Sequence, residues 1–387
     1  MSQGNHLNAA ITRRSWVMLA ISTLSGCGGG DTLGSGGGGV AGSPGTGGTG
    51  IFAMGSISGF GSVILNGIKF DDIGATVRLD GVTTGSADLR LGMVASVQGQ
   101  RGATLTSGVA SQIEVWSIAQ GLVTQVQAGS FNVAGMVLQT NSSTVFDGVS
   151  SAAGLSTGLR VAVWGLQAGA DARSWTVTRV AVVSAVPAVS TGLVVITNLQ
   201  PTLNGLVLTG GLASGLVQGQ LVRALGTLYS GSGSLHIDRV DLAGLPGGVA
   251  RQGELEIEGF VTAVLPTKRF MLGNLEVDAS SAVFSSPAIP MTVGLRVEVK
   301  GSWQGSIIKA TNVENESQQT VNATEIEAKI EQFTSLANFV MRGQVCDATN
   351  AVISNGRASD LKVGSQIKVT GTISGSVLVV NFLQIDM

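Results

Sequence analysis

One pattern recurs through this 387-residue chain and limits what it can fold into: Leu-x-x-Gly-x-x-Val-x-Val-x-Gly in its consensus form. It stands at 89–99 (LRLGMVASVQG), 155–165 (LSTGLRVAVWG), 216–226 (LVQGQLVRALG), 291–301 (MTVGLRVEVKG) and 361–371 (LKVGSQIKVTG). The inner glycines, Gly92, Gly158, Gly219, Gly294 and Gly364, are 66, 61, 75 and 70 residues apart. The closing glycines are Gly99, Gly165, Gly226, Gly301 and Gly371. Five pairs in register mark an internal repeat rather than chance. A Val-x-Val strand between two glycines places both at bends where a Cβ atom would clash, so their expected role is conformational.

A second mark precedes each copy: Gly55-Ser-Ile, Gly121-Leu-Val, Gly192-Leu-Val, Gly259-Phe-Val and, with alanine for glycine, Ala328-Lys-Ile. Its distances to the inner glycine are 37, 37, 27, 35 and 36. Copy 3 is therefore short, and it lacks the segment that reads VDASSAVF (277–284) in copy 4 and CDATNAVI (346–353) in copy 5. That pairing sets Cys346 opposite Val277, which makes it a small buried hydrophobe rather than a reactive thiol. A unit of roughly 65 residues exceeds a solenoid repeat and suits five short strands. The expected fold is all-β: five tandem small OB-like β-barrel repeats after a signal peptide and a Gly-rich tether. The repeats fall at 51–117, 118–185, 190–244 (shortened), 253–317 and 325–387.

Composition agrees. Gly is 57 of 387, aromatics are 4% and charged residues 12%, where a typical domain carries about 25% charge. A net charge of −2 leaves no basic footprint for nucleic acid. A membrane β-barrel would need long alternating strands and aromatic girdles, and one Tyr with four Trp after residue 16 do not supply them.

Residues 1–27 carry a basic pair, Arg13 and Arg14, then an apolar run from Trp16 to Leu24 too short to span a bilayer. This reads as an export signal. Leu24-Ser25-Gly26-Cys27 resembles the bacterial lipobox, whose cysteine is acylated, and Thr12-Arg13-Arg14-Ser15-Trp16-Val17 resembles a twin-arginine motif, so either export route stays open. Residues 28–50 are a Gly-rich flexible tether with a reach of roughly 25–30 Å. Gly28, not Asp, follows Cys27, which by resemblance to Gram-negative sorting rules implies the outer membrane. The expected partners are a membrane, through the lipid, and an envelope protein or carbohydrate.

Catalytic constellations are sparse. SISGFGSVILNGIKF (56–70) imitates a kinase glycine-rich loop with Lys69 behind it, but no D-F-G follows, and Gly59 and Gly61 are expected to shape a hairpin. His236 is the one histidine after residue 27 and Cys346 the one remaining cysteine, too few for a zinc cage; Asp71-Asp72 lacks the calcium-loop pattern. No enzyme, metal or cofactor is expected. The residue before the closing glycine is Gln98, Trp164, Leu225, Lys300 or Thr370, outward if the flanking valines point in. Trp164 is thus a candidate stacking platform for a neutral ligand. The nearly linker-free join of copies 1 and 2 favours its cover by a neighbouring barrel.

The lipobox, the tether, GSISGFGSVILNGIKFDD and DLRLGMVASVQGQ together resemble the bacterial family called domain of unknown function 5666, over residues 51 to 387 and most closely in copy 1. The resemblance implies exported β-barrel repeats and carries no catalytic residues with it.

Overall fold

The computed structural model describes residues 51–386 apart from 105, 169–173, 243–253, 286–289, 305–306 and 316–322. Cys27, Arg13, Arg14 and the tether lie outside the described residues. Described residues form strands, turns and short 3-10 segments, and no α-helix.

Barrel 1 is built from strands Ile51–Phe60, Val63–Leu65, Ile68–Asp71, Val94–Arg101 and Ser107–Val115. The first pairs with the second and the second with the third, antiparallel; the third pairs with the fifth, parallel; the fifth with the fourth and the fourth with the first, antiparallel. This closed order, first–second–third–fifth–fourth–first, is the OB connectivity. The same cycle recurs for Ala119–Gln127, Ser130–Val133, Met136–Gln139, Arg160–Gln167 and Trp175–Val182 in barrel 2. Barrel 3 repeats it with Ala188–Thr197, Gln200–Leu203, Leu206–Thr209, Leu221–Tyr229 and Ser234–Leu242. Barrel 4 uses Glu254–Leu265, Arg269–Leu272, Leu275–Asp278, Arg296–Gln304 and Ile307–Asn315. In barrel 5 the first strand is broken into Thr324–Lys329 and Gln332–Ser335, followed by Asn338–Met341, Gln344–Asp347, Gln366–Ser374 and Val377–Ile385.

Barrel 3 closes although its copy is short. What it lacks is the short strand that follows the third in barrels 2, 4 and 5 (Val145–Asp147, Val283–Phe284, Val352–Ser354), and a 3-10 turn at Gly211–Gly215 spans the gap. The third strand, whose last two residues overlap the segment that copy 3 was expected to lack, is present as Leu206–Thr209.

The fourth strand explains the repeat. Its inward pairs, Ala95/Val97, Val161/Val163, Val222/Ala224, Val297/Val299 and Ile367/Val369, are all at most 1% exposed. The two glycines have different reasons, and the expectation that both avoid a clash needs correction. The inner glycine takes φ between 77° and 90° in all five copies. Its N–H donates to the first strand in barrels 1 to 4, at the Ile57, Val123, Val194 and Val261 carbonyls, and in barrel 5 to Ile330 at the break in that strand. A Cβ on Gly158, Gly219, Gly294 or Gly364 would meet nothing within 4 Å, so backbone sign and not crowding selects glycine there. The closing glycine is the crowded one. At each, the pairing of fourth and fifth strands shifts by one residue in a bulge, and a Cβ on Gly301 would sit 2.2 Å from the Lys309 carbonyl oxygen.

The barrels are not a row of independent beads. The first strand of barrel 1 pairs in parallel with the first strands of barrel 4 (Phe52↔Ile257) and of barrel 5 (Gly59↔Glu325). Barrels 1, 4 and 5 share one hydrophobic cluster, joined by Val145, Ala162, Trp164 and Ala181 from barrel 2. Barrels 2 and 3 keep their own interiors around Phe131 and Leu235. Gly59 does more than shape a hairpin: a Cβ there would fall 2.3 Å from the Glu325 carbonyl oxygen, so its bareness admits barrel 5.

Candidate functional sites between the barrels

Trp164 is covered. It is 4% exposed and packs in the cluster with Leu91 of barrel 1, so no ring can stack on it, and its role as a ligand platform is withdrawn. Beside it, Arg179 donates from Nη1 to the Leu91 carbonyl at 3.1 Å and pairs with Asp147. Burial pushes this guanidinium down to about 10, against the opposing pull of Asp147.

A second joint holds barrel 3 on barrel 1. Arg223 donates to the Ser117 carbonyl at 2.7 Å and to Asp80 at 2.6 Å, while Asp241 accepts from both Arg223 and Arg239. The two guanidinium carbons lie 5.1 and 5.5 Å from the centre of the half-buried Trp116 ring, stacking geometry for cation–π attraction. Between barrels 1 and 4, Arg101 meets Glu256 at 3.4 Å and Glu258 at 3.7 Å and also pairs with Glu298, and Arg296 pairs with Glu258.

Lys69, the kinase-like lysine, binds Glu325 of barrel 5 at 2.7 Å, and Lys368 reaches the same oxygen at 2.9 Å. Burial raises the Glu325 carboxyl, but the hydrogen bonds from both lysines outweigh it and hold the group below its ordinary 4.5. A depressed carboxylate pKa contributes stability that is full above the unfolded value and lost as pH falls through the folded one. The difference in melting temperature between the chain and Glu325→Gln is therefore expected to stay level above about pH 5 and to shrink on acidification. A difference unchanged down to about pH 3 would show that the pair contributes nothing.

The fifth barrel also meets the second. The Phe146 N–H donates to the Gly375 carbonyl and the Ser376 N–H to the Ser150 carbonyl, both at 3.1 Å. These bridges border a cleft of about 330 Å³ lined by Asp147, Arg179, Ser150, Gln344 and Ser376 among others. Paired, Asp147 and Arg179 carry no net charge, so the lining suits a neutral hydrogen-bonding ligand better than an ion.

Elsewhere the chemistry is thin. Cys346 is 0% exposed and burial pushes its thiol up to about 12, which keeps it protonated. His236 sits exposed on the fifth strand of barrel 3, paired across the sheet with Thr227. Among the described residues no group of His, Cys, Asp and Glu is arranged to hold a metal. Sequence reasoning singled out Trp164 but passed over Arg179, Arg223 and Arg296. The available signal was an arginine on an outward strand position in a chain so poor in charge.

By strand order the chain is a tandem array of OB-like barrels joined through the first. Residues 120–183, almost the whole of barrel 2, match the model of the family described as Domain of unknown function (DUF5666), so this part of the chain is similar to that family. The match falls on copy 2, whereas the closest resemblance was expected in copy 1. No curated protein matches the chain. Among solved structures it is similar to drosophila Unr CSD456 at 10% identity, over 70% of this chain and 97% of that one, with a TM-score of 0.18. The barrel assignment rests on the strand pairings and takes nothing from that superposition.

Proposed function

We propose that this chain is a non-catalytic scaffold of the cell envelope, exported and held to a membrane by a lipid on Cys27. One observation carries the scaffold reading: the outer face of barrel 2 that carries Trp164, where a ligand would stack, is spent on barrel 1. Trp164 is 4% exposed, and none of the four described tryptophans (116, 164, 175 and 303) is exposed. The first barrel contacts all four others through named pairs, which suits a single rigid body. The lipobox-like sequence, Gly28 and the tether support the outer membrane of a Gram-negative cell as its site.

Because acylation needs the thiol, Cys27→Ser is expected to move the protein from the washed membrane pellet to the soluble fraction without changing its melting temperature. Retention in the pellet would contradict the anchor. A second reading, a binding module for a neutral carbohydrate or peptide, is favoured by the cleft between barrels 2 and 5. It requires a ligand that raises the melting temperature of the chain but not of Asp147→Ala.

A further inference from the structure

In barrel 2 three residues lie side by side across neighbouring strands, Val145 beside Arg179 and Arg179 beside Trp164. They are 4%, 3% and 4% exposed because a turn of barrel 1, Leu91-Gly92, seats on them. Gly92 fits for want of a side chain: its Cβ would fall 2.5 Å from the Thr178 carbonyl oxygen and 3.0 Å from Val145.

Barrel 5 repeats this register with Val352 beside Phe382 and Phe382 beside Thr370. Here the face is open: Val352 and Phe382 are each 61% exposed. At the same register barrel 1 has Thr76, Gln112 and Gln98, and barrel 4 has Val283, Asn312 and Lys300, the mainly polar choice expected of solvated surface. Barrel 5 departs from both by placing an open phenylalanine at the centre of the three.

The other half of the contact is open as well. The residue before the inner glycine, Leu91 in barrel 1, is Val293 in barrel 4 and Val363 in barrel 5, exposed by 66% and 60%. Both turns repeat the positive φ of Gly92. The chain thus makes a face-to-turn contact once internally and displays a spare face and spare turns of the same construction.

The geometry points to self-association: the Val352, Phe382 and Thr370 face of barrel 5 receives a valine–glycine turn, Val293-Gly294 or Val363-Gly364, of a second copy of this chain. Face and turn are different surfaces, so the contact is heterologous and extends into a ring or a filament rather than stopping at a two-fold dimer when the turn is that of barrel 4. A net charge of −2 opposes the approach only weakly. The inference is independent of the membrane anchor.

The test is sedimentation of the full chain bearing Cys27→Ser between roughly 1 and 100 μM, the range that reveals micromolar contacts. The expected result is concentration-dependent association, weakened at least about tenfold by Phe382→Asp and by one of Val293→Asp and Val363→Asp. Phe382→Leu should retain it, and Leu199→Asp, at a residue 96% exposed on barrel 3, should leave it unchanged. Unchanged melting temperatures confirm that each variant is folded. A chain that stays monomeric at the highest concentration overturns the inference, as does association indifferent to Phe382→Asp or to both turn variants. Recovery of Phe382-dependent binding only with a different protein or with lipid vesicles, while the pure chain stays monomeric, overturns it too.

Discussion

Gly301→Ala is expected to destabilise barrel 4 far more than Gly294→Ala, although the two glycines belong to one motif and receive the same single methyl group. At Gly301 the added Cβ would lie 2.2 Å from the Lys309 carbonyl oxygen and 2.9 Å from the Ala310 Cα, both backbone atoms that cannot swing aside. Relief requires the fourth and fifth strands to part at their bulge, where Lys300↔Asn312 gives way to Gly301↔Ala310. The cost is about 3 kcal/mol or more, in the range of forced backbone strain and overpacking. At Gly294 the methyl would meet empty space, and the penalty is that of a positive φ alone, about 1–2 kcal/mol. Urea unfolding of the full chain measures the two losses, and hydrogen exchange at 296–315 localises them. Equal losses would mean that the bulge yields freely and that close packing does not select the closing glycine.

The second large effect lies where barrels 1 and 4 meet. Arg296→Met is expected to cost about 3–5 kcal/mol, because it leaves the Glu258 carboxylate, 1% exposed, in the joint with its nearest described positive charge removed. Arg101 stays 3.7 Å away but is shared with Glu256 and Glu298, so it cannot compensate fully. Adding Glu258→Gln should recover most of the loss, since the expense comes from a buried charge that has lost its nearest counter-charge and not from the missing pair. A double-mutant cycle by urea unfolding reads this coupling. Additive losses in the double variant would show that Glu258 is held by other groups.

Conservation of role inside the repeat also explains which predictions generalise. The carbonyl–Cβ approach recurs at Gly99 (2.0 Å from Val109), Gly226 (1.8 Å from His236) and Gly371 (2.1 Å from Val379), so the Gly301 result should hold for those barrels. At Gly165 the nearest atoms, the Ile118 methyl and the Thr176 carbonyl, are each 2.8 Å away, and the effect there should be smaller. Arg296 has no such generality. Its register equivalents are Val94, Arg160, Leu221 and Gln366, of which Arg160 alone is charged.

The sequence by itself determined the barrel. Strand alternation needs only neighbours along the chain, so Val297 and Val299 could be placed inside and Lys300 outside from spacing alone. The inner glycine likewise marked the start of the fourth strand, although the strand runs on past the closing glycine, in barrel 4 to Gln304, through a bulge; the opposition of Cys346 to Val277 anticipated two residues that are each 0% exposed. The short join of copies 1 and 2 pointed to cover for Trp164, but only the tertiary structure decided what covers it and which other outer faces stay open. Trp164 and Phe382 both sit at outward positions next to a bulge, yet one is 4% and the other 61% exposed. The glycine of SGFGS could not reveal that Glu325, 266 residues later, would approach it. The cause is physical: barrel closure is fixed by short-range periodicity and backbone pairing within about 65 residues, whereas docking depends on the complementarity of surfaces brought together only after each barrel has formed.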